Sequence, residues 1–137
     1  MNEGQLVKLA EDAAKMAYVP YSGFKVGAAL LCKSGKIYSG CNIENAAFSP
    51  SNCAERTAVF KAVSEGEREF AVIAVTGAFA DNSGDKHRHT VPCGVCLQVL
   101  AEFCEPEKFV VIAANPAGEY KKYLLCELLP HGFALNV

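Results

Sequence analysis

Residues 70–79, FAVIAVTGAF, form a continuous apolar run in the middle of the chain. Such a run lacks the alternation of a half-exposed strand, and it predicts a strand that is covered on both faces. Helical periodicity precedes it, and Gly66 suits the end of that helix. The apolar stripe of this helix consists of Ala54, Ala58, Val59, Ala62 and Val63. A helix followed by a buried strand is typical of the α/β class.

The pattern continues toward the C-terminus after a polar stretch. Residues 92–103 place apolar side chains at helical spacing, with Pro92 at the start of the segment. That stripe consists of Val95, Val99, Leu100 and Phe103. Residues 109–118 predict a second buried strand closed by a turn, and residues 121–137 predict a short helix up to Pro130 followed by a tail.

The N-terminal part predicts an outer helix and a hairpin. Apolar residues follow helical spacing, and Pro20 should end this helix near Tyr18. The helix face consists of Leu6, Leu9, Ala10, Ala13 and Ala17. Residues 24–44 hold two runs of strand character joined by Ser34-Gly35, a good turn because glycine accepts a positive φ. The order of helices and strands predicts a sheet with helices on both faces.

Size and composition narrow the class of protein. The chain has 137 residues and is 51% hydrophobic, which suits a single domain, residues 1–137, that buries about two-thirds of its unfolded surface. A formal net charge of -2 argues against a nucleic acid polymer as partner. No segment approaches the roughly 18 apolar residues that span a bilayer, so no membrane partner is expected. No export signal is recognisable, so we expect a cytoplasmic protein with reduced cysteines.

Three cysteines lie where two predicted helices begin. Cys93 and Cys96 form a C-x-x-C pair in one first turn, and Cys53 opens the other helix. A βαβ crossover places such helix starts at the carboxyl ends of the strands, so three thiolates can converge on one Zn²⁺. Helix N-termini suit thiolates because their N–H groups and dipole stabilise negative charge. Three protein ligands leave the fourth tetrahedral position open, which indicates a catalytic zinc site.

Two charged residues follow Cys53 within three positions. Glu55 can reach a water in the open position without binding metal, so it qualifies as the acid–base group. Arg56 is placed to hydrogen-bond a ligand sulfur and to offset the negative charge of the thiolates. A solvated ion pair on the helix face is the alternative for Arg56.

The motifs CAE at 53–55 and PCGVC at 92–96 resemble the signature of zinc-dependent nucleoside deaminases. YVPYSGFKVGAAL (18–30), GCNIENAAFSPSNCAERTAVFKAV (40–63) and ELLP (127–130) are similar to the small homotetrameric cytidine deaminases, so the likeness spans nearly the whole chain. It implies a three-layer α/β/α sandwich with a mixed five-stranded sheet, one zinc ion per chain and no other cofactor. It also implies hydrolysis of cytidine and deoxycytidine to uridine and deoxyuridine plus ammonia, a step of pyrimidine salvage.

The same resemblance assigns the metal and proton-transfer roles to the residues already named, and it adds substrate contacts. Asn42 and Glu44 would bind the ribose 3′-hydroxyl, and Phe24 would line the nucleoside pocket. The backbone N–H of Ala54 would meet the pyrimidine carbonyl, and Phe133 would approach the base of a neighbouring subunit's ligand. A site built to bind a hydroxyl rejects analogues without it, which predicts nucleosides over free cytosine.

The chain departs from the family pattern in two places. The residue after the C-x-x-C pair is usually arginine, and here it is Leu97, which removes one positive charge. The polar loop at 81–90 is longer than usual. Its basic residues are Lys86, His87, Arg88 and His89. We hypothesise that Arg88 lies near the entrance of the metal site and partly replaces the lost charge.

Plainer alternatives remain open for these residues. The three cysteines could be buried free thiols, or could form a structural zinc site with His87 or His89 as fourth ligand, which would make the protein a non-catalytic zinc module. Asn42 and Glu44 could only shape a turn. Aromatic packing is the alternative for Phe24 and Phe133. Leu97 and the long loop also admit a modified nucleoside or a nucleoside antibiotic as substrate.

Overall fold

The computed structural model describes residues 1–135. Its helices are α1 (Glu3–Ala14), α2 (Ala54–Ser64), α3 (Gly94–Phe103) and α4 (Leu125–Leu128). Its strands are β1 (Phe24–Cys32), β2 (Ile37–Cys41), β3 (Phe70–Phe79), β4 (Val110–Ala114) and β5 (Tyr120–Leu124). Along the chain the order is α1–β1–β2–α2–β3–α3–β4–β5–α4.

The strands form one mixed sheet in the order β2-β1-β3-β4-β5. β1 is antiparallel to β2 and β3, β3 is parallel to β4, and β4 is antiparallel to β5. The five-stranded sheet implied by the resemblance is therefore confirmed. β3 occupies the centre of the sheet and coincides with the apolar run at residues 70–79.

Helices cover both faces of the sheet. Successive residues of β1 point to opposite sides, so Ala28 and Leu30 pack in the cluster with α2 and α3, whereas Ala29 packs with α1. From α1 the buried residues are Leu6, Val7 and Ala10. α2 ends as its sequence predicts, because Gly66 has φ 99° and the Glu67 N–H donates to the Ala62 carbonyl.

α1 approaches the sheet unusually closely at one glycine. A Cβ atom at Gly27 would lie 1.9 Å from the carbonyl oxygen of Ala10 and 2.5 Å from the nitrogen of Ala14. Real Cβ atoms cannot approach backbone atoms so closely, so β1 requires glycine at this point. The same contact allows α1 to bury its apolar face against the central strands.

The structure corrects the prediction for the C-terminal segment. Residues 120–124 form the edge strand β5 rather than part of a helix, and only the single turn α4 follows. Its first three residues are exposed, so this strand shows no apolar alternation. Lysines at exposed edges are common because charge discourages pairing with other chains.

Two smaller predictions about helices were also wrong. α1 ends at Ala14 instead of near Tyr18, because the backbone of Tyr18 pairs with Asn42 and Glu44 and must leave the helix first. In α3 the apolar stripe is rotated: Val95 is 58% exposed, whereas the buried residues are Cys96, Leu97 and Leu100. Among residues 1–135, no helix is both long and apolar enough to cross a membrane.

Candidate metal centre and active site

The N-termini of α2 and α3 meet at one end of the sheet. β2, β3 and β4 run in the same direction, because β1 is antiparallel to β2 and β3 while β3 is parallel to β4. α2 follows β2 and α3 follows β3 along the chain. Both helices therefore begin at the carboxyl ends of strands on either side of β1, where α/β proteins place their sites.

Three cysteine sulfurs converge between these helix starts. The Sγ atoms of Cys53, Cys93 and Cys96 all lie within 4.8 Å of one another, and those of Cys53 and Cys93 are 3.7 Å apart. Zinc–sulfur bonds of about 2.3 Å in a tetrahedron place two sulfurs about 3.8 Å apart. The cluster therefore has the size and the donor chemistry that Zn²⁺ requires.

The histidines considered as a fourth ligand lie elsewhere. The Nδ1 atom of His87 is 3.0 Å from Glu119 Oε1, and His89 lines a separate cavity. Within the part of the chain that the structure describes, the cysteines form the only cluster of potential metal ligands. The arrangement therefore favours three protein ligands over a closed structural site.

Cys53 and Cys93 occupy the N-cap positions of α2 and α3 and make no side-chain capping hydrogen bond. The first backbone N–H groups of a helix have no carbonyl partner inside the helix. The N–H of Ala54, the first residue of α2, is one of these free donors. It lies at the helix end where the sulfurs converge, and its role at a pyrimidine carbonyl stays a prediction.

Arg56 joins the two halves of the cluster. Its Nη2 donates to Cys53 Sγ at 3.2 Å and its Nε donates to Cys96 Sγ at 3.4 Å. Hydrogen bonds from Cys96 and Arg56 lower the pKa of the Cys53 thiol to about 5, while the neighbouring Cys53 sulfur and burial raise the pKa of Cys96. The guanidinium thus stabilises negative charge on the sulfurs, and the helix-face ion pair is not what the structure shows for Arg56.

Glu55 is buried beside the sulfurs. Only 4% of the residue is exposed, because it lies on the first turn of α2 and faces inward. Burial raises the pKa of its carboxyl to about 7, with a further contribution from the Cys53 sulfur and an opposing one from Arg56. A carboxyl with a pKa near neutrality can both accept and release a proton at physiological pH.

The side chains of Asn42 and Glu44 hold residues 21–26 in place through hydrogen bonds. The Asn42 side chain accepts from the Val26 N–H and donates to the Phe24 carbonyl, both at 2.9 Å. Glu44 accepts from the Ser22 hydroxyl and from the N–H groups of Ser22 and Tyr21, which hold the pKa of this carboxyl below its usual range.

Both side chains keep unused hydrogen-bonding capacity. An amide offers two donors and two lone pairs, and a carboxylate offers about four lone pairs. Asn42 therefore retains one donor and one acceptor position, and Glu44 retains one acceptor position. These side chains can therefore shape the turn and still bind a sugar hydroxyl. The sequence did not indicate that Ser22 binds Glu44, because serine is common in turns.

Phe24 forms one wall of a cavity at the same end of the sheet. Its ring packs edge-on against Phe79 with centroids 4.9 Å apart, and a Cβ at Gly77 would clash with it at 2.6 Å. The cavity has a volume of about 490 Å³, and Arg88 and His89 are also among its lining residues. None of the three cysteines lines it.

Hydrogen bonds hold the backbone of Phe133 in place, whereas its ring makes no comparable contact within residues 1–135. The Gln98 side chain of α3 accepts from the Phe133 N–H at 3.0 Å and donates to its carbonyl at 2.8 Å. The residue as a whole is 71% exposed. Phe133 is therefore not part of the packed core of this chain. Gln98 was missed in the sequence, because its partner lies 35 positions away.

Leu97 does not face the sulfurs. It is 6% exposed and belongs to the core cluster that contains Ala54, Leu100 and Leu125. The position that usually carries arginine is therefore an apolar contact between α3 and the rest of the core. The positive charge at the sulfurs comes from Arg56.

A three-layer fold that brings together three cysteines, a buried glutamate and two helix N-termini defines the class of zinc-dependent deaminases. Residues 1–113 match the model of the cytidine and deoxycytidylate deaminase zinc-binding region. This match covers more than half of the chain, and the chain belongs to this family. It is a zinc-dependent hydrolase, and zinc is its cofactor.

Individual relatives support this assignment along almost the entire chain. A cytidine deaminase of Sporosarcina psychrophila is 48% identical over 134 residues, which are 98% of this chain and 93% of the relative. One of Halalkalibacterium halodurans is 47% identical over 133 residues, 97% of this chain and 95% of the relative. The crystal structure of cytidine deaminase from Burkholderia pseudomallei superposes with a TM-score of 0.87 at 43% identity and covers 97% of this chain and 100% of that one.

Proposed function

We propose that this protein hydrolyses cytidine and deoxycytidine to uridine and deoxyuridine with release of ammonia. The observation that carries the proposal is the buried carboxyl of Glu55 beside three convergent sulfurs. The relatives named cytidine deaminase support the choice of substrate. The reaction would serve pyrimidine salvage in the cytoplasm, in a homotetramer.

Cys53, Cys93 and Cys96 would hold the zinc ion as thiolates. When bound, zinc supplies a Lewis acid that makes a water molecule nucleophilic near neutral pH. Arg56 would keep two of the sulfurs charged and oriented through its hydrogen bonds. Cys93 is exposed, so a substrate would be able to reach the cluster from this side.

Glu55 would move the protons of the reaction. Its carboxylate would take a proton from the attacking water and deliver it to N3 of the cytosine ring. It would then carry the remaining proton of the C4 hydroxyl to the amino group, which leaves as ammonia while the C4 carbonyl forms. The pKa of about 7 suits both halves of this cycle. The Ala54 N–H would donate to the pyrimidine carbonyl and so fix C4 toward the metal site.

Asn42 and Glu44 would bind the ribose 3′-hydroxyl with the donor and acceptor positions that remain free. Phe24 would pack against the nucleoside. Phe133 is exposed, and Gln98 holds its backbone in place. Its side chain would reach the base bound by a neighbouring subunit. This last role links substrate binding to the homotetramer.

The test is deamination of cytidine, deoxycytidine and free cytosine, followed by ultraviolet absorbance, on protein whose zinc content has been measured. We expect one zinc per chain, turnover of both nucleosides and none of the base. A protein that holds zinc and leaves all three compounds unchanged would contradict the proposal and favour the non-catalytic module. Modified nucleosides would then be the next substrates to assay.

A further inference from the structure

The turn before β1 lies at the same end of the sheet as the cysteine sulfurs. β1 is antiparallel to β2 and β3, so its first residues lie beside the carboxyl ends of those strands. Within the turn, the Gly23 N–H donates to the Val19 carbonyl at 3.0 Å, and the Gly23 carbonyl accepts from the Ala80 N–H at 2.8 Å. Residues 19–23 therefore have a defined position at this end of the sheet.

The segment that follows β2 is attached to the start of α2. Ile43 and Asn52 exchange two backbone hydrogen bonds of 3.0 and 2.9 Å. Asn52 directly precedes Cys53, a candidate metal ligand. Glu44, the neighbour of Ile43, is thereby kept close to the start of α2.

The carboxylate of Glu44 accepts three hydrogen bonds from the turn. Its Oε2 accepts from the Ser22 hydroxyl at 2.5 Å, and its Oε1 accepts from the backbone N–H groups of Tyr21 and Ser22 at 3.0 and 3.1 Å. Successive backbone N–H groups that face one anion form a site for negative charge. The Ser22 hydroxyl and these N–H groups hold the pKa of Glu44 below its usual range, so the carboxyl is ionised at neutral pH.

The two carboxylate oxygens of Glu44 differ in the capacity that remains. A carboxylate oxygen offers about two lone pairs, and Oε1 uses both for backbone N–H groups. Oε2 uses only one, for the Ser22 hydroxyl. A further donor can therefore bind at Oε2, which is the oxygen that the Ser22 hydroxyl holds in place.

The Ser22 hydroxyl also connects Glu44 to Phe24. The hydroxyl oxygen accepts from the Phe24 N–H at 3.0 Å, and the hydroxyl hydrogen is donated to Glu44. An N–H can only donate and an ionised carboxylate can only accept, so both directions are determined. Removal of the hydroxyl would release Oε2, while the two backbone hydrogen bonds to Oε1 could remain.

We propose that Ser22 is a positioning residue for substrate recognition, because its hydroxyl holds Oε2 of Glu44 where it accepts from the ribose 3′-hydroxyl. Ser22 acts through Glu44 and does not itself bind the nucleoside. The proposal rests on the proposed function, which assigns Glu44 to the sugar. It adds the atom that accepts from the sugar and the residue that orients this atom.

A second serine makes the same pair of contacts at the opposite end of the sheet. In the turn between β1 and β2, the Ser34 hydroxyl donates to Glu67 Oε1 at 2.7 Å and accepts from the Lys36 N–H at 3.4 Å. This turn precedes β2, whereas α2 and the sulfurs follow it. Ser34 is therefore a matched control for a serine that only stabilises a turn.

The test measures binding of uridine and 3′-deoxyuridine to the zinc-loaded protein by calorimetry, which requires no turnover. We expect uridine to bind at least about tenfold more tightly, the factor supplied by one hydrogen bond to a charged group. Ser22→Ala should lower this preference at least about threefold and leave the affinity for 3′-deoxyuridine nearly unchanged. Ser22→Thr keeps the hydroxyl and should keep the preference, and Ser34→Ala should leave both affinities unchanged.

Equal affinities for the two ligands in the wild-type protein would overturn the proposal, because Glu44 would then not bind the 3′-hydroxyl. A preference that survives in Ser22→Ala would overturn it as well. Equal losses of affinity for both ligands in Ser22→Ala would show that the hydroxyl only stabilises the turn. Cytidine turnover is measured on the same samples. Turnover with an unaltered preference in Ser22→Ala refutes only the role of Ser22, whereas a weakened preference without turnover in the wild type refutes only the proposed deamination.

Discussion

At the scale of single residues, Glu55 is the most informative side chain. The buried polar or charged residues described in the structure are Glu55, Thr76 and Asn115. Asn115 is satisfied by two hydrogen bonds with Glu119, which gives it a structural reason to be buried. Burial of an ionisable carboxyl is costly, and such groups with shifted pKa values concentrate at functional sites.

Glu55→Gln tests proton transfer directly. The amide has nearly the same shape but cannot accept and return a proton, so we expect deamination to fall at least about 10²-fold while zinc content stays unchanged. Steady-state kinetics and metal analysis measure the two quantities. Glu107→Gln, at an exposed position, serves as the matched control. Near-normal turnover in Glu55→Gln would assign the proton shuttle to another group.

Arg56→Ala tests the role of the guanidinium at the sulfurs. Loss of both hydrogen bonds to Cys53 and Cys96 should weaken zinc binding about 10- to 100-fold in a chelator competition, and Arg56→Lys should recover only part of it. Arg68→Ala removes a guanidinium that contacts only carbonyl groups, and should leave zinc affinity unchanged. Equal zinc affinity in Arg56→Ala and wild type would exclude this role.

At the scale of elements, the contact between α1 and β1 depends on Gly27. The Ala10 carbonyl occupies the space that a side chain at this position would need. α1 therefore packs closely enough to cover Ala29 and Ala74. On the other face, α2 and α3 are kept in position by a shared core and by the sulfur cluster at their N-termini.

Gly27→Ala should destabilise the fold, because α1 or β1 must move to accommodate the new methyl group. We expect the free energy of unfolding in urea to fall by about 1–3 kcal/mol or more. Gly4→Ala makes the same change within α1, where the new Cβ would lie an ordinary 3.5 Å from Asn2 Oδ1, and it should be neutral or slightly stabilising. Equal stability of the two variants would contradict the close contact.

At the scale of the whole molecule, the metal site links elements that are far apart in sequence. Zinc would join the start of α2 to the start of α3 through Cys53 and Cys93, which lie 40 positions apart. A ligand that binds only the folded state stabilises it by about 2.7 kcal/mol at 100 times its Kd. Metal occupancy should therefore influence global stability as well as activity.

Removal of zinc should lower the Tm. We expect chelator-treated protein to melt several degrees below the zinc-loaded form, and readdition of Zn²⁺ to restore the Tm. Mg²⁺ should not restore it, because thiolates are poor ligands for a hard cation. Differential scanning calorimetry under reducing conditions measures all three states. An unchanged Tm after verified zinc removal would show that the cluster contributes nothing to the fold.

Exposed aromatic side chains bear on assembly. Phe48 and Phe133 are 73% and 71% exposed, and Tyr21 contacts Phe48 edge-on with ring centroids 6.3 Å apart. Groups of exposed apolar residues commonly mark interfaces. Light scattering after size-exclusion chromatography should give four times the 14.6 kDa chain mass, and Phe133→Ala should raise KM for cytidine. A protein that is monomeric and fully active would exclude a contribution of Phe133 to the site of a neighbouring subunit.

Much of the molecule was predictable from local pattern. Periodicity reports which side of an element is covered, and it placed β3, α2 and the Gly66 helix end correctly. It failed for β5, because an exposed edge strand has no apolar alternation, and for Val95, because helical spacing alone does not orient a helix. Backbone pairing of Tyr18 with residues 42–44 ended α1 early, which no local signal indicates.

The sequence by itself determined the chemistry available at the site: three thiols and a carboxyl at the starts of two helices, and a basic loop nearby. Only the tertiary structure decided that the sulfurs of Cys53 and Cys93 lie 3.7 Å apart, that Arg56 bridges two sulfurs, and that Arg88 and Phe24 line the same cavity. The physical reason is that residue types and their spacing are local properties, whereas distances between residues far apart in the chain depend on how sheet and helices pack.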